Sequence, residues 1–256
     1  PIADTERCIA LSADGRMIPV DARVGRALLD SKPIYVMGLR DVSERARTEL
    51  FLQGQRHVLE LIASGAPGAE TMAVLLAVVE GETPTMHCAI YELDVERQVA
   101  RLVSAADLPA DVVPRLRELE VGPDAEAIGF AIHGNAHVVT PDIESDPMWS
   151  DSGECLVVNG IRGAWTIPLR STDGTVIGAL VCYFDTAREP TPREHELAGA
   201  TVQLASIALS SARDAASLRR SEASFRSFVE TTPAAIFRET RDGQPAWRNR
   251  ALATIR

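Results

Sequence analysis

The stretch Gly160–Phe184, GIRGAWTIPLRSTDGTVIGALVCYF, constrains the fold of this chain more than any other. Two apolar segments flank Ser171-Thr172-Asp173-Gly174, a tetrapeptide with turn chemistry. The second segment, Thr175 to Phe184, carries almost no polar side chain. A hairpin strand with one wet face alternates apolar and polar residues. This one does not, so something must cover both of its faces. The expectation is a central strand of a sheet held between two layers. Along it Val176, Gly178, Leu180, Cys182 and Phe184 project to one side, and Ile177, Ala179, Val181 and Tyr183 to the other. One set packs a helix layer; the alternation alone does not say which. The partner strand contains Pro168, which has no N–H to donate, so that end belongs at an edge or a bulge.

Composition leaves room for such a core: 256 residues, 46% of them hydrophobic, suffice for one large domain or two small ones. A net charge of -10 argues against a nucleic-acid surface. The four cysteines, Cys8, Cys88, Cys155 and Cys182, have no metal-finger spacing and are expected as free thiols in a reducing cytosol. No apolar run approaches the ~18 residues of a membrane span. The expected setting is cytoplasmic, without membrane or nucleic-acid contact, and the Pro1 start suggests a piece of a longer protein.

Three zones separate along the chain. In the first, Asp14-Gly15 signals a turn, residues 18–24 alternate like a strand, and Ile34 to Leu39 reads as a second strand. Asp41 or Ser43 can cap the following helix, whose stripe is Phe51, Gln55, Val58 and Ile62 with Leu52 and Leu59. Gly65, Pro67 and Gly68 end it. The middle zone alternates: a helix over Ala69–Val79, strands in MHCAIYEL and QVARLVSA, a short helix over Ala110–Leu119, a strand in HVVTPDI, then the hairpin. The third zone opens on Thr191 as a cap and Pro192 at the first helical position. Leu197, Leu204, Leu218 and Phe225 fall on a seven-residue spacing, interrupted at Ser211, with small Thr201, Ala208 and Ala215 between. Pro233 breaks this pattern, and AAIFRETRDGQPAWRN reads as a hairpin around Asp242-Gly243.

The ordered stretches VLELIASGAPGAET, MHCAIYELD, VSAADLP, VGP, HVVTPDIESDPMW, GIRGAWTIPLRSTDGTVIGAL and PTPREHELAGATVQLASIAL resemble a GAF domain of a bacterial multi-domain sensor. DGRMIPVDARV with KPIYVMGLRDVSERARTEL resembles the last strands of a PAS domain. SEASFRSFVETTPAAIFRETRDGQPAWRNRAL resembles the start of another, with Asn249 after its first hairpin. The resemblance implies a PAS end over 1–43, a linker helix over 44–64, a GAF domain over 59–213, a coiled-coil-like linker over 214–224 and a PAS start over 221–256. The implied fold class is α+β: a central antiparallel sheet with helices on one face, a cavity on the other, and long flanking signalling helices.

The function implied by the resemblance is that of a regulatory sensor fragment rather than an enzyme. A small ligand of unknown identity, or a partner, would occupy the sheet-side cavity. A homodimer would relay the change through Leu197, Leu204, Leu218 and Phe225 to an effector of the same polypeptide, a histidine kinase or a diguanylate cyclase; for Leu197 and Leu204, with Ile207, the alternative is that they cover the sheet. The candidate cavity residues are Cys88, Ile90, Phe130, Ile132, Asp142, Trp149, Trp165 and Tyr183. Core packing is the alternative for most of them, loop pinning for Trp149 and turn capping for Asp142. His87 and Cys88 are consecutive in a strand and face opposite ways, which argues against a shared metal or a base–nucleophile pair. No catalytic constellation and no metal site is expected.

Two other readings stand beside this one. The domain could be a ligand-free spacer and dimeriser, or a cysteine-dependent enzyme like the GAF-type methionine sulfoxide reductases. Against the latter, Asp124-Ala125-Glu126-Ala127-Ile128-Gly129 lacks the Cys and one Gly that this loop usually carries, and Cys88 and Cys182 lie in apolar strands. The Cys-His dipeptide of bilin-binding relatives is absent, as is the Asn-Lys-x-x-Asp signature of cyclic-nucleotide binders.

Overall fold

The computed structural model describes residues 6–13, 15, 17–29, 32–105, 107–234, 236–242 and 245–248. Asp14, Gly243 and Asn249, each singled out in the sequence, lie outside the described residues.

A six-stranded antiparallel sheet forms the centre: β4 (Met86–Asp94), β5 (Val99–Ala105), β6 (Glu118–Glu120), β7 (Val138–Thr140), β8 (Gly163–Arg170) and β9 (Val176–Phe184). The spatial order is β6-β5-β4-β9-β8-β7, which puts the apolar β9 in the interior beside β4. Its double cover is real: Ile177 to Phe184 are all buried. Strand β7 pairs only Val138–Thr140 with Ala164–Thr166, so Pro168 lies past its end, on a stretch of β8 that pairs with β9 alone. That stretch is an edge, where a residue without an N–H is tolerated.

One face of the sheet carries α2 (Gly68–Glu80) and the first half of α5 (Pro192–Thr231), with α1 (Ser43–Ser64) packed on both. Here Cys88, Ile90, Trp165, Leu180, Cys182 and Phe184 meet Val58, Met72, Leu76, Ala205 and Leu209. Along α1, Val58 is buried and Phe51 and Ile62 partly so, while Leu52 and Leu59 stay exposed. Asp41 Oδ1 accepts from the Ser43 N–H at 2.8 Å, completing the start of α1. The start of α5 is firmer: Thr191 and Glu194 form a reciprocal capping box with Pro192 inside it.

The opposite face is closed by α3 (Ala127–Gly134), a 3-10 turn (Pro147–Trp149) and α4 (Gly153–Val158). Ala89, Tyr91, Ala179, Val181 and Tyr183 meet Ile128, Ile132, Trp149 and Leu156 there. One residue departs from simple alternation. Leu169 pairs with Gly178 and Arg170 with Val176, so Ile177 is bulged out of the ladder. The extra residue reverses the parity, and Ile177 joins the helix-side cluster instead of Ala179, Val181 and Tyr183. The helix expected over Ala110–Leu119 is also corrected: residues 110–116 are turns, and Leu119 lies in β6. Pro114 removes a helical N–H and clashes with the preceding turn, so the helix cannot propagate.

Outside this unit, β1 (Glu6–Leu11), β2 (Met17–Leu29) and β3 (Lys32–Asp41) form a separate antiparallel sheet, with Leu28, Tyr35, Val36 and Met37 exposed. The residue pattern predicts two strands here; β1 is a third. Beyond α5, β10 (Phe237–Glu239) and β11 (Pro245–Arg248) pair as the expected hairpin.

Candidate functional site

The site follows from how α3 and α4 are pinned over the sheet. Gly129 lets α3 come against β6, since a Cβ there would collide with the Glu120 carbonyl and crowd Ala125. Glu126, just before α3, uses its carboxylate to hold the opposite loop. Its Oε1 accepts from the backbone N–H groups of Asp151 and Ser152 at 2.8 and 2.9 Å, and its Oε2 from Ser152 Oγ at 2.7 Å. Asp146 Oδ1 accepts from Met148 N–H at 2.9 Å and sets the turn that buries Trp149. The Trp149 indole then donates to Thr140 Oγ1 at 3.0 Å.

Below this lid the sheet is filled by the protein's own side chains. Tyr91 and Tyr183 are fully buried with hydroxyls 3.5 Å apart, and Trp149 meets Tyr183 edge-on at 6.4 Å between ring centroids. Burial raises the pKa of both phenols, so they remain neutral. Open space lies at the rim, in a cleft of about 640 Å³ between β6, the start of α3 and the loop to α4. Phe130, Leu119 and Met148 give it apolar walls. Glu118, Glu120, Asp124 and Asp151 make it acidic, opposed by Arg115. Such a cleft favours a small neutral or cationic ligand with an apolar portion.

The eight candidate residues do not line one chamber. Cys88, Ile90 and Trp165 are corrected to the helix-facing side, because Cys88 and Trp165 pair with Cys182, and Ile90 with Leu180, and register partners share a face. Ile132, Trp149 and Tyr183 come together in the core under α3. Phe130 alone of the eight borders the rim cleft. Asp142 accepts from Ser145 Oγ at 3.3 Å and from Arg162 Nη2 at 3.4 Å, in a turn. Trp165 lies between His195 and His137, with centroids at 4.5 and 6.1 Å and the rings tilted by 42° and 53°. His87 bonds Asp185 at 2.8 Å while Cys88 points into the core.

Sequence reasoning missed Glu126, Tyr91, Arg115 and Ser152. Glu126 had a legible signal, an acid at a helix start where the sulfoxide reductase loop pattern is broken; Tyr91 had only its strand parity. Of the relay residues, Leu197 and Leu204 are corrected to core: they are 1% and 8% exposed. The helix passes over the sheet at those turns and spends its apolar face there. Leu218 and Phe225, beyond the sheet, are 62% and 69% exposed.

Among the described residues no cluster of three or more metal-ligating side chains occurs, and no helix is long and apolar enough to cross a membrane.

Comparison with known proteins agrees with this architecture. A family model described as a GAF domain matches residues 69–210, more than half of the chain. Over 237 residues the chain is 26% identical to the methyl sulfide methyltransferase-associated sensor of Methanosarcina acetivorans, covering 93% of this chain. It spans 24% of that relative's length. A solved GAF protein of Burkholderia vietnamiensis aligns with a TM-score of 0.52 at 17% identity, covering 65% of this chain and 98% of the other. The free methionine-R-sulfoxide reductase of Neisseria meningitidis, solved with its substrate, aligns with a TM-score of 0.52 at 17% identity, over 66% and 91%. At such identities the likeness to the solved structures is one of fold.

Proposed function

This chain belongs to the GAF domain family, and from that premise we propose that it is a sensory relay segment of a larger signalling protein. The rim cleft takes a small neutral or cationic ligand. Occupancy changes the balance between two arrangements of the α3–α4 lid over Tyr91 and Tyr183, and the sheet passes that change to α5. Two copies associate in parallel through the exposed part of α5, with Leu218 and Phe225 in the seam. The flanking sheet β1–β3 and the hairpin β10–β11 are the edges of PAS units, and the effector lies elsewhere in the same cytoplasmic polypeptide. The sensor-named relative of Methanosarcina acetivorans supports the signalling role.

The observation that carries this reading is α5 itself. It is one helix of 40 residues, with one face buried between Glu194 and Leu209 and with Leu218 and Phe225 exposed beyond it. A helix that only covered the sheet would end near Leu209. In sedimentation velocity we expect a dimer that Leu218→Glu converts to monomer without loss of fold. A dimer that survives Leu218→Glu removes the seam, and with it the relay.

A second reading, a spacer without ligand, is favoured by the filled face beneath α3. A native mass spectrum of the purified chain distinguishes the two: a retained small molecule supports the sensor, and its absence together with a flat thermal-shift screen supports the spacer. The reductase reading is not supported by residue placement. The loop after Val121-Gly122 carries Ala and Glu where the resemblance places a cysteine, and Cys88 and Cys182 project from β4 and β9 into the helix-side core.

A further inference from the structure

Cys88 on β4 and Cys182 on β9 are direct register partners in the middle of the sheet. Residues opposed in an antiparallel ladder have Cα atoms about 4.5 or 5.5 Å apart, depending on the ladder position. A disulfide accepts Cα separations of roughly 4.4–6.8 Å, so either position suits a bridge with the backbone in place. Both side chains point into the cluster containing Met72, Leu76 and Ala205. Their sulfurs lie 4.0 Å apart, and both thiols are free and fully buried. Rotation of the two Cβ–Sγ arms toward each other closes the gap. The rim cleft on the other face does not involve this pair.

We propose that Cys88 and Cys182 are an intramolecular oxidation site, which a hydrogen-peroxide-sized oxidant converts to a disulfide stapling the two central strands. One sulfur attacks a peroxide oxygen; the O–O bond breaks, the outgoing oxygen takes the thiol proton and leaves as water, and a sulfenic acid remains. The second sulfur attacks the first; the S–S bond forms, the S–OH bond breaks, and a second water departs with the remaining thiol proton. In sum two thiols and one hydrogen peroxide give one disulfide and two waters, a two-electron oxidation matched by a two-electron reduction.

Burial shapes the selectivity. Both residues are fully buried, so exchange with a tripeptide thiol is disfavoured and the oxidant that reaches the pair is a small one. The sulfenic acid has its resolving thiol 4.0 Å away, which outruns over-oxidation. The hydrogen bond to Cys182 and burial both raise the Cys88 pKa, so the reaction is slow at neutral pH and quickens as pH rises. In a reducing compartment the pair rests as a dithiol. Oxidised, it locks the β4–β9 register on which α2 and α5 pack.

The test uses the full chain carrying Cys8→Ser and Cys155→Ser, which removes the exposed and half-buried thiols. The native protein is treated with hydrogen peroxide, quenched with catalase, unfolded, alkylated and mapped by mass spectrometry. The expected product is about 2 Da lighter, contains a Cys88–Cys182 peptide, reverts with dithiothreitol, and melts several degrees higher. Its rate increases from pH 7 to pH 9. Adding Cys182→Ala abolishes the product; if that variant misfolds, the peptide map of the parent still decides. Full alkylation of Cys88 and Cys182, after an exposure ten times longer than oxidation of Cys8 requires in the unmodified chain, overturns the proposal. So does separate over-oxidation of the two sulfurs without a bridge.

Discussion

Removing the Glu194 carboxylate should unfasten the start of α5, and the size of the effect can be worked from its contacts. Glu194 is 3% exposed. It accepts from both terminal guanidinium nitrogens of Arg188 at 2.7 Å, from the Thr191 N–H at 2.7 Å and from Thr191 Oγ1 at 2.9 Å. Arg188 in turn lies 4.2 Å over the Phe184 ring, tying the helix start to the end of β9. Loss of the capping box costs about 1 kcal/mol, and breaking a buried ion pair about 3–5 kcal/mol. These overlap, because one carboxylate serves both. Arg188 keeps 25% of its side chain exposed, so the freed charge reaches water and the low end applies. Glu194→Ala should therefore lose about 3 kcal/mol in urea denaturation at pH 7, or roughly 6–12 °C in melting temperature.

Acid titration adds a sign. Burial alone would raise the Glu194 pKa, but the bonds from Arg188 and Thr191 outweigh it and hold it below the ordinary value. The stabilisation is thus complete above the unfolded carboxyl pKa, near 4.3, and is lost as pH falls through the lower folded value. Glu194→Gln should lose this part of the acid dependence. A cost below about 0.5 kcal/mol for Glu194→Ala, or an unchanged acid slope for Glu194→Gln, would refute the reasoning.

Gly178→Ala places a Cβ against the Tyr91 carbonyl and the Leu209 side chain, and should lower the stability measured by denaturation by about 2 kcal/mol or more. Leu204→Glu buries a charge in the helix-side core and should abolish the cooperative melt that Leu218→Glu preserves. Arg213 bonds Glu92 at 2.7 Å and also the Leu93 carbonyl, where α5 leaves the sheet. Both partners are partly exposed, so Arg213→Ala should cost only about 1 kcal/mol. It should nonetheless speed amide exchange in residues 210–231 while leaving β4 and β9 protected.

The elements legible in the sequence were those whose signal is local. The covered β9, the proline-tolerant stretch of β8 and the Thr191–Glu194 cap each follow from residue types within one element. The halt at Pro114 was also local, and the apolar spacing of Val112 and Leu116 concealed it. The Ile177 bulge was not legible, since it exists only in the register of β9 against β8. That same dependence divided the candidate site. Nothing within MHCAIYEL says which parity faces α2, so Cys88 and Ile90 were grouped with Tyr183 across the thickness of the sheet. The split along α5 was partly legible: Leu204 and Leu218 share a spacing, but the expected domain end near Arg213 already set Leu218 apart, and the sheet beneath Leu204 makes it core.

The undivided length of α5 has a mechanical consequence. From Leu209, its last residue in the sheet-side core, to Thr231 the helix extends about 33 Å at 1.5 Å per residue. A stiff lever of that length turns a tilt of about 5° at the sheet into a sweep of about 3 Å at its tip. A rearrangement too small to see within the sheet would thus arrive at the far end as a displacement larger than a bond length, without any residue along the shaft changing its own conformation.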